Sequence, residues 1–495
     1  MFDKIKRLGS QVVIYGFGNA GTRMVGFVLI PVYSRYLTPE DYGVLALVSM
    51  FAQVLYTFMN MGQSSALFRT YFRHDDPEAR QTVITTSLWL ILTLSFPIGL
   101  LALVLSKPLS SLLAGSPDYA VWVALGIGGV AFKSLLRLPQ AVMRAREQSR
   151  RYSLLTVAQT IVALVLAVLF VVGLHLGGRG VLLSQLIAEV LICLYLVPEM
   201  VRGLSLRFSK SDAKELLGYG VVLMPGALLS FVIHLADRYF LKIFVSVGAV
   251  GIYALGYRIG EILYIVLLAF ELAYPQFVYG HLKNPDAKTI YARVCTYYLA
   301  GMGFIWLVVS LFAEETVKIM AHSSYHEAYR VVPYIAGAFL FQGLGTVWNI
   351  SMFVHRIVKY RLMTSMLTAT VSLGLNFLLV PRYGMMGAAG AALGSFMFQF
   401  AIQARIGYHL YPVPHEWGRI LRLVGVGAGV YAVGSLIHWG SIPTALAGKG
   451  LLILAAPALL LATGFFEDGE TKRLKSLVAS FRRNPITPAE VRGGK

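Results

Sequence analysis

"GFGNAGTRMVGFVLIPV", residues 16–32, admits two readings that exclude each other. Gly16, Gly18 and Gly21 form a G-x-G-x-x-G, with Glu40 and Asp41 about twenty residues further on, the outline of a dinucleotide-binding turn. The same residues sit in an apolar run long enough to cross a bilayer, with Arg23 in its middle. A dinucleotide turn follows a strand. No strand pattern precedes Gly16, and the apolar run continues past Gly21 to Val32. The glycines are therefore read as small residues that let helices approach closely inside a membrane.

The rest of the chain agrees. Of its 495 residues 57% are hydrophobic and only 14% charged, against about 25% charged in ordinary soluble domains. The mean hydropathy is +0.67. Apolar runs near the ~20 residues that span a bilayer as a helix recur fourteen times: 10–34, 43–66, 81–106, 119–142, 152–174, 180–200, 217–239, 249–279, 289–313, 328–352, 362–380, 385–408, 418–439 and 448–466. The sequence thus predicts an all-α integral membrane protein of fourteen transmembrane helices. Lys4, Lys6 and Arg7 precede the first run as they would in a signal peptide, but no small-residue cleavage site ends it and it contains an arginine. It is read as a retained helix. Cys193 and Cys295 fall within spans or at their edge and are read as small core residues. The net charge of +19 is scattered through short loops, which argues against a nucleic-acid partner.

Loop charge sets an orientation. Arg35, Lys107, Arg179, Lys242, Lys318, Arg330, Arg382 and Lys449 fall on one side, and Arg23, Lys133, Arg137, Arg238 and Arg258 fall inside spans. The remaining 30 of the 43 Lys and Arg residues lie on or beside the opposite side, which includes both termini. The positive-inside rule places that side in the cytoplasm, and an even number of spans follows.

Segments about 206 residues apart look alike. Tyr15 in "YGFG" answers Tyr219 in "YGVV", Gly43 answers Gly251, and Gly177 and Gly180 answer Gly384 and Gly387. The shift carries the first helix onto the seventh. An even number of spans separates the copies, so they share one orientation and are related by an axis along the membrane normal. The expected organisation is an N-lobe of helices 1–6 (1–200), a cytoplasmic linker (201–216), a C-lobe of helices 7–12 (217–411), helices 13 and 14 (412–466) and a basic cytoplasmic tail (467–495).

The stretches "RMVGFVLIPVYSRYLTPEDYGVLAL", "LADRYFLKIFVSVGAVGIYALGYRIGE" and "LVPRYGMMGAAGAALGS" resemble the Wzx-like polysaccharide flippases of the multidrug/oligosaccharidyl-lipid/polysaccharide exporter (MOP) superfamily. The resemblance covers the whole chain. It implies movement of an undecaprenyl-pyrophosphate-linked oligosaccharide from the cytoplasmic to the periplasmic leaflet of a bacterial inner membrane, by alternating access and without a cofactor. Relatives include the lipid II flippase, which carries a cavity arginine at the position of Arg23 in "TRMVGF", and multidrug extruders.

Buried charges supply the candidate site. Arg23 lies thirteen residues into its span, about 20 Å deep at ~1.5 Å per residue. A cation at that depth costs at least about 2.5–3.5 kcal/mol and persists where it meets a wet cavity or a partner such as Glu189. A guanidinium fork suits a pyrophosphate. Lys133 and Arg137 are four apart and share one face of the fourth helix. Arg258 and Glu261, three apart on the eighth helix, serve either as an internal pair or as cavity groups. The expected substrate-binding set is Arg23, Lys133, Arg137 and Arg258. Glu189, Asp237, Glu261 and Glu271 are candidates for ion-pair partners or for coupling to Na+ or H+. Asp237 and Arg238, read at the periplasmic end of the seventh helix, also suit a capping role. His322 and His326 have no further ligands in reach of the pattern and are read as loop histidines, with no metal site. The expected protein is a monomer whose partners are its lipid-linked substrate, membrane lipids and a coupling cation. A cation-coupled drug exporter would want an acidic cavity. A membrane glycan polymerase or ligase, the enzymatic rival, would want a large periplasmic loop.

Overall fold

Short polar signals start several of the helices. Thr38 accepts from the Asp41 amide at 3.1 Å while the Asp41 carboxylate accepts from the Thr38 amide at 3.3 Å, a reciprocal cap with Pro39 in the first turn. Asp76 caps before Pro77, Ser209 before Lys210, Ser246 before Val247 and Ser441 before Ile442. The protein is described here by a computed structural model, which covers residues 26–202, 207–355, 358–437, 439–467 and 470.

Among these residues the regular structure is helical throughout. The first part of the described chain, called the N-lobe for brevity, contains α1 (Ile30–Tyr36), α2 (Pro39–Asn60), α3 (Gln63–Arg73), α4 (Pro77–Val104), α5 (Ser106–Ala114), α6 (Ala120–Ala145), α7 (Ser149–Val168) and α8 (Gly177–Arg202). The following part, called the C-lobe, contains α9 (Lys210–Phe244), α10 (Val247–Gly260), α11 (Ile262–His281), α12 (Ala287–Leu311), α13 (Ala313–Met320), α14 (Val332–Trp348), α15 (Ser351–His355) and α16 (Val358–Leu410). Finally α17 (Trp417–Leu436) and α18 (Ile442–Ala462) pack on each other and on α12. In the N-lobe α6 packs on α2, α4 and α8; in the C-lobe α16 packs on α9 and α14. A buried ion pair, Lys449 Nζ to Glu315 Oε1 at 2.6 Å, ties α18 to α13. Outer faces are apolar and open: Phe96, Val222 and Leu454 are 70–75% exposed, as lipid-facing side chains must be.

Among the described residues, eleven helices are long and apolar enough to cross a membrane, or twelve with a bent pair counted as one span. The chain is a multi-pass membrane protein. The difference from the expected fourteen has local causes. Most of the first expected span, 10–34, lies outside the described residues. The expected spans 362–380 and 385–408 form one 51-residue element, interrupted at Gly384, whose φ of 57° and ψ of −130° no helix adopts. At ~1.5 Å per residue that element is more than twice as long as the ~30 Å hydrocarbon core is thick. The expected eighth span, 249–279, breaks at Glu261 into α10 and α11. The tenth is the bent pair, a 3₁₀ segment Ser323–Arg330 meeting α14 at 41°. The expected linker 201–216 is helical from Lys210 onward, because Ser209 starts α9 there.

The lobes meet where glycines remove side chains. A Cβ on Gly43 of α2 would stand 2.0 Å from the Val247 carbonyl oxygen, and one on Gly251 of α10 would stand 1.9 Å from that of Pro39. The contact is reciprocal: a shift of 208 residues carries Pro39 onto Val247 and Gly43 onto Gly251. At the opposite end of α2, a Cβ on Gly220 of α9 would meet the Met61 carbonyl oxygen at 2.0 Å. Gly177 and Gly384, 207 residues apart, both take φ of +57° at the turns where α8 and the second half of α16 begin.

Candidate functional site

Between the lobes lies a cavity of about 1660 Å³. Each N-lobe helix that lines it presents one face at helical spacing. Ser49 and Gln53 come from α2, Lys133, Arg137 and Gln140 from α6, Thr156, Gln159 and Thr160 from α7, and Gln185 and Glu189 from α8. Residues three and four apart share a helix face, so these are four polar stripes aimed at one space. The C-lobe wall comes from α9, α10 and α11. It is aliphatic apart from Tyr257, Arg238, Arg258, Glu261 and Glu271.

The charged groups are held differently. Lys133 Nζ sits 5.4 Å and Arg137 Cζ 5.8 Å from the centre of the Tyr56 ring, a cation–π arrangement. Glu189 lies within electrostatic range of both, yet no ion pair within 4 Å joins them among the described residues. Its Oε2 is buried without a hydrogen-bond partner among the same residues. Arg258 reaches out of α10 onto the chain at Gly26: a Cβ there would lie 2.1 Å from Arg258 Nη2. Tyr33 and Tyr42 stand beside that guanidinium. Glu261 occupies the break between α10 and α11. Glu271 accepts from Thr346 Oγ1 at 3.2 Å, a link from α11 to α14.

Asp237 and Arg238 lie within α9, both buried, and cap no helix end. Arg238 donates to Asp237 Oδ1 at 3.2 Å and to the His234 carbonyl at 3.1 Å, and its guanidinium lies 4.4 Å over the Tyr257 ring. The Tyr253 hydroxyl donates to Asp237 Oδ2. Arg238 reaches the cavity wall while Asp237 stands behind it.

Of the residues singled out from sequence, Lys133, Arg137, Arg258, Glu189, Glu261 and Glu271 line this one cavity together. Arg23, and with it the expected pairing to Glu189, lies outside the described residues. His322 accepts from the Ser324 amide at the start of the 3₁₀ segment, and its own amide donates to Ser34 Oγ. Sequence reasoning missed Gln53, Gln140, Gln159 and Gln185. Their signal was present: each is an amide inside an apolar run, where an unmet polar group is costly. Reasoning from charge alone passed over them.

Residues 32–270 match the family model described as polysaccharide biosynthesis protein. The chain is 24% identical over 337 residues to the succinoglycan biosynthesis transport protein ExoT of Rhizobium meliloti (strain 1021). That alignment covers 64% of this chain and 63% of the relative's length. The sequence thus resembles proteins of polysaccharide biosynthesis and transport. Solved structures give the fold. The lipid II flippase MurJ, in an inward closed conformation, superposes with a TM-score of 0.72 at 10% identity, over 94% of this chain and 100% of that one. An inward-facing multidrug resistance MATE family transporter of the MOP superfamily superposes with a TM-score of 0.62 at 18% identity, over 81% and 95%.

Proposed function

We propose that the chain is a flippase that moves an undecaprenyl-pyrophosphate-linked oligosaccharide from the cytoplasmic to the periplasmic leaflet of the inner membrane, for cell-surface polysaccharide synthesis. The observation that carries this reading is the inter-lobe cavity with Lys133, Arg137, Arg238 and Arg258 in its walls. Its volume exceeds the roughly 300–1,000 Å³ of drug-sized pockets. It suits an anionic head group larger than a drug. Guanidinium groups match pyrophosphate oxygens in pairs, and lysine adds a point charge. The prenyl chain stays in lipid while the head crosses.

Alternating access by the two lobes completes the proposal, with fourteen spans, parallel six-helix repeats, both termini cytoplasmic and a monomeric protein. The reciprocal Gly43–Gly251 contact and the matched turns at Gly177 and Gly384 support the repeat, because a two-fold axis through a crossing makes each partner's contact the mirror of the other's. Glu189, Glu261 and Glu271 are the cavity carboxylates available to a coupling Na+ or H+. They are also the observation that favours a second reading, cation-coupled drug export.

A complementation assay in a host whose own polysaccharide flippase is deleted tests the choice. Arg258→Ala and Lys133→Met should each lower surface polysaccharide at least about tenfold, the loss of one charge-assisted contact worth ~1.5–3 kcal/mol, with the protein still in the membrane. Full activity of both variants, or ethidium export with no polysaccharide, would overturn the flippase reading in favour of the exporter.

A further inference from the structure

The charges of the cavity answer to a pyrophosphate, but its N-lobe amides do not. Gln53, Gln140 and Gln185 come from α2, α6 and α8 and line the cavity. None makes a side-chain hydrogen bond among the described residues. Gln159 of α7 reaches Glu189. Between them, Thr156 and Thr160 donate their hydroxyl protons to their own helix, to the Tyr152 carbonyl at 2.9 Å and the Thr156 carbonyl at 2.8 Å. Their oxygens are left with lone pairs as acceptors on the cavity face. A primary amide offers two donors and an acceptor. The N-lobe wall therefore alternates donors and acceptors across four helices. The C-lobe wall of the same cavity contains no amide and no Ser or Thr among the described residues. A phosphate, which at neutral pH only accepts, has no use for such a mixture. Vicinal hydroxyls, each both donor and acceptor, match it.

We infer that the amide wall of α2, α6, α7 and α8 is a sugar subsite, which binds the hydroxyls of the saccharide next to the pyrophosphate, so that the head group lies with its glycan against the N-lobe. This rests on the flippase reading and adds to it a side of the cavity and a basis for preferring a glycosylated lipid over the bare carrier.

The test uses the purified full chain in detergent and two probes, undecaprenyl pyrophosphate and undecaprenyl-pyrophosphoryl-glucose, with binding followed by native mass spectrometry. Wild type should prefer the glucosyl lipid by about tenfold or more, the sum of two or three modest hydrogen bonds. Gln53→Ala with Gln185→Ala removes two amides that are exposed to the cavity and leaves no buried void. The pair should bring the preference to about threefold or less and leave binding of undecaprenyl pyrophosphate unchanged, which also reports that the protein is folded. Gln140→Leu should act in the same direction. Arg258→Ala should weaken both lipids alike. Equal binding of the two lipids by wild type, or a preference that survives the amide variants, would overturn the sugar subsite and leave the flippase reading intact. Failure of wild type to bind either lipid would overturn the flippase reading itself, and the subsite with it.

Discussion

On the N-lobe side of the cavity, Lys133 and Arg137 lean on one ring, Tyr56, and among the described residues no carboxylate comes within 4 Å of either. On the C-lobe side, Arg238 is bonded to Asp237, stacked over Tyr257, and backed by Tyr253 on the same carboxylate. Both are cations at membrane depth. A charge whose partner is built in is part of the fold, since removing the partner leaves an uncompensated charge. A charge that faces an open cavity beside a ring, with no carboxylate within 4 Å among the described residues, is available to something that enters. The same contrast divides the carboxylates. Asp237 accepts three hydrogen bonds, whereas Glu189 keeps a buried oxygen without a partner among the described residues.

The largest expected effect breaks that comparison directly. Asp237→Asn should lower stability by about 3–5 kcal/mol, because Arg238 and the Tyr253 hydroxyl lose their anion in a buried site. Glu189→Gln, the same chemical change, should move stability by about 1 kcal/mol or less, since no close ion pair depends on it. Thermal unfolding of the two variants in one detergent decides the matter. Equal losses would mean that Glu189 is as structural as Asp237.

The Gly43–Gly251 contact gives a smaller effect and tests the proposed pseudo-symmetry. A methyl on Gly43 or Gly251 meets backbone, not a movable side chain. Gly43→Ala and Gly251→Ala should each cost about 1–3 kcal/mol, the range for overpacking. The reciprocal geometry predicts that the two melting temperatures fall by similar amounts. A clear inequality would show that one lobe yields where the other does not.

The smallest effect concerns the loop before α17, outside the spans. His415 stacks on Trp348 at 4.3 Å, and burial holds its pKa down at about 4. In the unfolded chain a histidine titrates near 6.5. The unfolded state therefore takes the proton first as pH falls, so this contribution to stability is present above about pH 6.5 and is lost as pH drops toward 4. His415→Phe should flatten the dependence of melting temperature on pH in that window and leave it unchanged above pH 7. An unaltered profile would show that other groups set the acid limit.

Much of the site was legible in the sequence, and the reason is energetic. Lys133, Arg137, Glu189, Arg258, Glu261 and Glu271 stood out because ionisable groups in apolar runs are expensive, and they line one cavity. The glutamines stood out less, since an amide costs less to bury than a charge. Asp237 and Glu189 could not be told apart, because each is an acid within or beside a predicted span. Their roles depend on how far each helix is turned about its axis, and a hydropathy pattern does not record that. The break at Glu261 was hidden because α10 and α11 are both apolar. The joined run through Gly384 ran the other way, a polar turn "PRYG" that the chain passes with a single non-helical residue.

By itself the sequence determined that this chain is a helical membrane protein, in what order its apolar runs follow, and which of those runs carry charges. These are properties of the chain read along one dimension, and they are forced because lipid offers backbone groups no partners. Only the tertiary structure decided which charges meet, which amides share a wall and where the halves touch. Helix rotation and crossing are set by close packing at a few small residues, and at Gly43 and Gly251 what matters is the carbonyl on the facing helix, some two hundred residues away in the chain.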